Sequence, residues 1–340
     1  MIKRLILHIG LHKTGTTTLQ TMFKRNRDAM AEKGIAYPSA RLAGRPDMAG
    51  HHFFPALIAS GKDEDLAAAH AFLRAAAETH ENCETLLISC EGFYRYVMPN
   101  NPSGPNADMM ARRNSFVART AELIRSTMGP VTTEIWASLR RPDAFAASLY
   151  QEKVKKTAST GTILEYINPP NPLLLYGKNL AIWDHHFGEV EKFCFERDVV
   201  ADGGIAGAYL NRLGLPSSFS DNMPLRMNSS LHPHLIEFKR RINIRASDRE
   251  DLRAITDALL DFQAKSRDDM LSEKFTLLSR KARDALVGAV RADGNARLER
   301  FFEMPEWIVP VDDAPVYGSL PEDYRHRIIA WDPVLDRSDF

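Results

Sequence analysis

The 340-residue sequence has no apolar run near the roughly 20 residues that a membrane-spanning helix needs. Its cysteines are few: Cys83, Cys90 and Cys194, an odd number with no CxxC spacing. A disulfide framework and a zinc site are therefore not expected, and a reducing cytoplasm is. Net charge is also lacking, because 44 basic residues stand against 44 acidic ones. No global field draws in nucleic acid or an anionic membrane, so any anion site must be local. There is no internal repeat, no low-complexity tract and no GxSxG nucleophile elbow. Residues 1–7 begin like a secretory leader, but the apolar stretch breaks at His8, Gly10 and His12-Lys13. No small-residue cleavage site follows, so a first strand is expected there.

What is present is alternation. Short apolar runs bounded by turn residues predict strands at 4–9, 85–89, 132–139 and 190–196. Between them, helical patterns cover 16–33, 63–81, 107–128, 142–156 and 173–186. Leu19, Met22, Phe23 and Met30 supply the apolar side of the first helix, and Gly34 stops it. Residues 41–52, 99–106 and 168–172 read as loops. Beyond about 201 the pattern is helical, at about 201–213, 232–243, 248–268 and 278–302. Strands alternating with helices predict βαβ units and a mostly parallel central sheet. The expectation is one α/β domain over 1–340, three-layered, with helices flanking the sheet and a helix-rich region at about 201–340.

The loop after the first strand carries the strongest signal. It reads Gly10-Leu11-His12-Lys13-Thr14-Gly15-Thr16-Thr17-Thr18. Backbone N–H groups at a helix start, with the helix dipole behind them, hold anions. Gly10 and Gly15 allow close backbone approach, the threonines add hydroxyl donors, and Lys13 adds a positive charge. The loop is P-loop-like, yet a Walker A loop needs lysine directly after the second glycine. Here Thr16 follows Gly15, and the lysine stands two residues before it. That displacement turns the reading away from ATP or GTP. The plainer alternative is a threonine-rich helix start with an incidental lysine.

The segment from His12 to Gln20 resembles the 5′-phosphosulfate loop of sulfotransferases that use 3′-phosphoadenosine-5′-phosphosulfate (PAPS). A second segment tests the likeness. Arg140-Arg141-Pro142, with Ser148 and Tyr150 beyond, follows the 132–139 strand and is similar to that family's 3′-phosphate motif. Arg140 and Ser148 take the matching positions. Independently of the family, a guanidinium at a strand end and a hydroxyl two turns along the next helix both suit a phosphate. Taken singly, Arg140 reads as a surface ion pair and Ser148 as an ordinary helix serine.

The resemblance implies sulfuryl transfer from PAPS to an acceptor hydroxyl, leaving adenosine 3′,5′-bisphosphate (PAP), with no metal. Lys13, Thr14, Gly15, Thr16, Thr17, Thr18, Arg140 and Ser148 are then the cofactor-binding set. The family's general base is a histidine or glutamate after the second strand region, which singles out Glu91. His12, inside the loop, is a further catalytic candidate, and His51 and His52 are rivals. The likeness is closest to bacterial, carbohydrate-type members, so the implied acceptor is a saccharide or glycolipid hydroxyl, with a small alcohol or phenol behind it. Arg226 to Ser230 loosely matches a late loop that closes over the 3′-phosphate. Arg112-Arg113 and Lys153, Lys155 and Lys156 are basic clusters that suit an acidic acceptor or a solvated helix face. Two other classes remain open: a P-loop small-molecule kinase using ATP-Mg²⁺, and a non-catalytic module that binds a nucleotide or sulfated sugar.

Overall fold

A computed structural model describes residues 1–99, 108–168, 171–221, 230–266, 269–273, 275–292, 298–308, 316 and 322–335. Arg226, Asn228 and Ser229, and the predicted loop from Asn100 to Asn106, lie outside the described residues. The backbone groups into two compact units interleaved along the chain. The first holds residues 1–141, 175–227 and 293–307. The second holds 142–174, 228–292 and 308–340. The divisions fall at 141/142, 174/175, 227/228, 292/293 and 307/308.

The first unit contains the sheet. Its strands are β1 (Arg4–His8), β2 (Ile35–Ala36), β3 (Thr85–Ser89), β4 (Thr132–Leu139) and β5 (Glu191–Cys194). They are all parallel, in the order β2-β3-β1-β4-β5. β1 is central: Leu5 and Leu7 pair in register with Leu86 and Ile88 on one side and with Thr133 and Ile135 on the other. A fully buried strand with neighbours on both edges reads as a continuous apolar run, which is why residues 4–8 were legible.

Right-handed crossovers decide which helices cover which face. The β1-to-β2 connection runs one way across the sheet, carrying α1 (Thr16–Arg25) and α2 (Arg27–Glu32). Every later connection runs the other way. It follows that α3 (Phe53–Ala59), α4 (Asp63–Thr79), α6 (Met109–Met128) and α9 (Tyr176–Phe187) share the opposite face, where they touch one another. A short α5 (Gly92–Arg95) follows β3, and α10 (Phe195–Asp198) follows β5. Then α11 (Gly204–Leu213) returns to pack beside α1. Leu19, Met22 and Phe23 of α1, Ile205 and Tyr209 of α11, and Ile6, Leu87, Trp136 and Phe193 of the sheet form one buried cluster. The α/β class, the parallel sheet and the helical layers are thus as expected.

Several elements differ from the sequence reading. The predicted helix 16–33 breaks at Asn26, whose side-chain amide donates to the Met22 and Phe219 carbonyls and caps the first piece. The two-residue strand β2 was not foreseen, being too short to show a period. Within 41–52 and just after it, a turn of 3₁₀ helix (Ala40–Ala43) and then α3 replace part of the expected loop. The predicted strand 190–196 ends at Cys194 and turns directly into α10.

The second unit is helical. Its helix α7 (Pro142–Lys156) packs against α8 (Ile163–Ile167), α12 (Pro233–Ile242) and α13 (Arg249–Lys265). Asn243 joins them by donating to the Val154 and Ser159 carbonyls, both at 2.9 Å. No helix among the described residues is long and apolar enough to cross a membrane.

Candidate functional site

In an open parallel sheet, ligands bind beyond the carboxyl ends of the strands, where successive connections leave in opposite directions. Here that point lies between β1 and β3. The chain leaves β1 toward β2 and leaves β3 toward β4. The loop at 9–15 and the pair Cys90-Glu91 emerge there together.

The loop is a chain of left-handed turns. Gly10, Lys13 and Gly15 have φ of 45°, 65° and 75°. Lys13 is the one non-glycine residue with positive φ among those described, a conformation that costs about 1–2 kcal/mol. Gly15 caps α1 and has no side chain to satisfy the first-turn N–H groups, and no acidic residue occupies that turn. Those donors and the positive end of the helix dipole therefore face the loop uncompensated. A side chain at either glycine is strained by the positive φ and crowded by its neighbours. A Cβ on Gly15 would stand 3.0 Å from Ile205 Cγ2, and one on Gly10 would stand 3.2 Å from Thr16 Oγ1 and 3.3 Å from His8 Nε2.

The threonines differ in role. Thr14 is fully buried and its hydroxyl donates to the Leu11 carbonyl at 2.6 Å. That proton is committed to shaping the loop, so Thr14 has only its backbone N–H to offer an anion. Thr16 is buried and reaches the same carbonyl at a longer 3.3 Å. Thr17 is exposed and Thr18 half-buried at the helix start.

Arg140 ties the second motif to the first. It leaves the end of β4, adjacent to β1, and its Nη1 donates to the Lys13 carbonyl at 2.8 Å. The guanidinium lies 5.0 Å from the centre of the Phe195 ring, and its Nε is 3.9 Å from Glu196 Oε1. Tyr176 holds the Arg140 carbonyl at 2.8 Å, and Glu196 accepts the Arg141 N–H at 2.9 Å. Burial pushes the Glu196 carboxyl above its ordinary range, against the pull of that N–H. Ser148 belongs to the second unit, half-buried on α7, and is not among the residues gathered here.

Glu91 sits on the other side of the loop. Gln20 of α1 donates to its Oε2 at 3.1 Å. His12 Nδ1 lies 3.9 Å from Oε1, and His52 Nδ1 lies 4.0 Å from Oε2. One carboxylate is therefore flanked by two of the predicted histidines. His51 is not a rival to it. It is buried, Ser89 N–H donates to its Nδ1 at 3.2 Å, and its Nε2 bonds the Pro38 carbonyl at 2.9 Å. Burial lowers its pKa to about 4, leaving a neutral ring that pins the 38–52 connection to β3. The Arg112-Arg113 pair is likewise structural. Arg113 is buried against Asn179 and the Tyr94 ring, and Arg112 bonds the Met98 carbonyl.

Four participants escaped the sequence reading. His8 is wholly buried below the loop. Its Nδ1 bonds Ser89 Oγ at 2.8 Å, and burial lowers its pKa to about 3. Gln20 was visible only as the last residue of the motif. Its carboxamide fits because position 50 is glycine, where a Cβ would stand 2.4 Å from Gln20 Oε1. Glu196 was hidden inside a predicted strand. Finally, His52, Cys90 and Glu91 place their donor atoms within 4.8 Å of one another. No spacing rule finds that group, because the two parts are joined by a 38-residue excursion through α3 and α4. Burial pushes the Cys90 thiol pKa upward, and the Glu91 charge adds to it. All three cysteines are buried and free, with no disulfide.

No family model, curated protein or solved structure matches this chain.

Proposed function

We propose that this chain is a PAPS-dependent sulfotransferase acting on an acceptor hydroxyl. The observation that carries the reading is the 2.8 Å bond from Arg140 to the Lys13 carbonyl. It ties the two motifs that resemble the phosphosulfate and 3′-phosphate sites, with Glu91 beside the same loop. The uncapped start of α1 and the left-handed turns suit a 5′-phosphosulfate. Lys13 and the hydroxyls of Thr16 and Thr17 bind its oxygens, and Thr14 contributes through its backbone. By the family likeness Arg140 holds the 3′-phosphate.

In this reaction the acceptor oxygen attacks sulfur in line while the bond from sulfur to the bridging phosphate oxygen breaks. Charge builds on that leaving oxygen, where Lys13 and the helix start stabilise it. Glu91 takes the acceptor's proton. Gln20 fixes one oxygen of the carboxylate, and His12 and His52 flank it. By the family likeness the acceptor is a saccharide or glycolipid hydroxyl.

Two measurements test this. Adenosine 3′,5′-bisphosphate should bind in preference to ATP-Mg²⁺, since no lysine follows Gly15 to reach a terminal phosphate. Preference for ATP sinks the proposal in favour of a kinase. With labelled PAPS and a panel of sugar, lipid and phenol acceptors, Glu91→Gln should lower turnover by roughly a hundredfold with bisphosphate affinity kept. Full turnover in that variant removes Glu91 from the role of base. Bisphosphate binding without transfer to any acceptor favours the non-catalytic module.

A further inference from the structure

His52, Cys90 and Glu91 come together more closely than sulfuryl transfer requires. His52 Nδ1 lies 3.4 Å from Cys90 Sγ and 4.0 Å from Glu91 Oε2. Ligands about 2.0–2.3 Å from a tetrahedral zinc ion stand roughly 3.3–3.6 Å from one another. The sulfur–imidazole edge already has that length, and all three donor atoms lie within 4.8 Å of one another. The surroundings of the sulfur are a second, independent observation. Gly92 N–H donates to Cys90 Sγ at 3.1 Å, which fixes where the sulfur sits. A Cβ at position 92 would stand 2.9 Å from that sulfur and 3.0 Å from the Tyr96 ring, so only glycine lets the backbone close over it. Cys90 is fully buried, whereas the His52 side chain is 49% exposed, which gives an ion a way in from solvent.

We propose that His52, Cys90 and Glu91 form a binding site for one zinc-class divalent ion. One thiolate, one imidazole and one carboxylate suit Zn²⁺ or Co²⁺, while Mg²⁺ and Ca²⁺ prefer all-oxygen sets. Binding forms the sulfur–metal bond and releases the thiol proton to solvent. Three protein ligands leave the fourth position open. The site has a consequence that rests on the sulfotransferase reading: a Glu91 bound to zinc cannot take the acceptor's proton, so zinc acts as a brake on transfer.

The test is a Co²⁺ titration of chelator-treated, full-length chain. The expected result is a near-ultraviolet thiolate-to-cobalt charge-transfer band that saturates at one ion per chain and is displaced by Zn²⁺. Cys90→Ser should abolish the band, while Cys83→Ser and Cys194→Ser keep it. His52→Ala, at an accessible position with little risk to folding, should weaken Co²⁺ binding by roughly a hundredfold. It carries the test if Cys90→Ser does not fold. No band, or a band that survives Cys90→Ser, overturns the site; a thiol merely hydrogen-bonded to His52 gives that result. Because the readout is optical, a chain that shows the band but transfers no sulfate when metal-free leaves the site standing and counts against the sulfotransferase reading. A chain that transfers sulfate and shows no band overturns the site alone. Unchanged transfer at saturating Zn²⁺ overturns the brake.

Discussion

Lys13 joins two properties that a sequence motif cannot separate. Its ammonium is the charge beside the proposed phosphosulfate, and its backbone is left-handed at φ 65°. The side chain therefore remains where its Cβ is a steric cost of about 1–2 kcal/mol. Strain of this kind collects at functional loops because the surrounding structure holds it in place. Here Arg140 does so, through the Lys13 carbonyl. Lys13→Gly should leave stability unchanged or raise it by up to about 1 kcal/mol, after allowing for the looser unfolded chain. It should remove sulfate transfer at the same time. Comparing urea midpoints with turnover for Lys13→Gly and Lys13→Ala checks this, because alanine keeps the strain and loses the charge.

Among elements, α11 packs beneath the strand end from which the loop leaves. Tyr209 of α11 stacks on Phe193 at 4.2 Å, meets His8 edge-on at 4.9 Å and bonds Ser138 Oγ at 2.7 Å. It is fully buried directly beneath the loop, beside Ile205, which limits Gly15. Tyr209→Ala should cost about 3–5 kcal/mol by the usual scale for a deleted core aromatic. Chemical denaturation measures that loss. A cost under about 1 kcal/mol would show that α11 does not anchor this face. The helix was legible as an apolar stretch from about 201, but its place beside α1 was not. Nothing in residues 201–213 says that they return across the sheet to the face α1 occupies.

On the scale of the whole molecule, a neutral total charge leaves local burial to set the pH response. His8 has its pKa lowered to about 3 by burial, and His51 to about 4. Both are neutral in the fold, whereas in the unfolded chain they take up protons below about pH 6.5. Their contribution is complete above that pH. It falls as the solution is acidified, by about tenfold in the folded-to-unfolded ratio per pH unit for each ring. The fall continues until the folded pKa is reached. His8→Asn should flatten the acid side of a plot of urea midpoint against pH by close to one proton. An unchanged slope would show that His8 is charged in the native state.

The sequence by itself determined the class of fold, four of the five strands and the turn-rich joint between the first strand and the first helix. Those features are local: an apolar run marks a buried strand, and glycines and threonines mark a helix start. Only the tertiary structure decided what surrounds Glu91. His51 and His52 are neighbours in sequence, yet one is buried against Pro38 and Ser89 while the other faces Cys90 and Glu91. Thr14 and Thr17 both read as donors, yet one hydroxyl turns inward to Leu11 and the other is exposed. The physical reason is common to both pairs. Residue type sets which bonds a side chain can make, but burial and the distance to a partner decide which it does make. In a parallel sheet those partners come from strand ends that the chain reaches only after long crossovers.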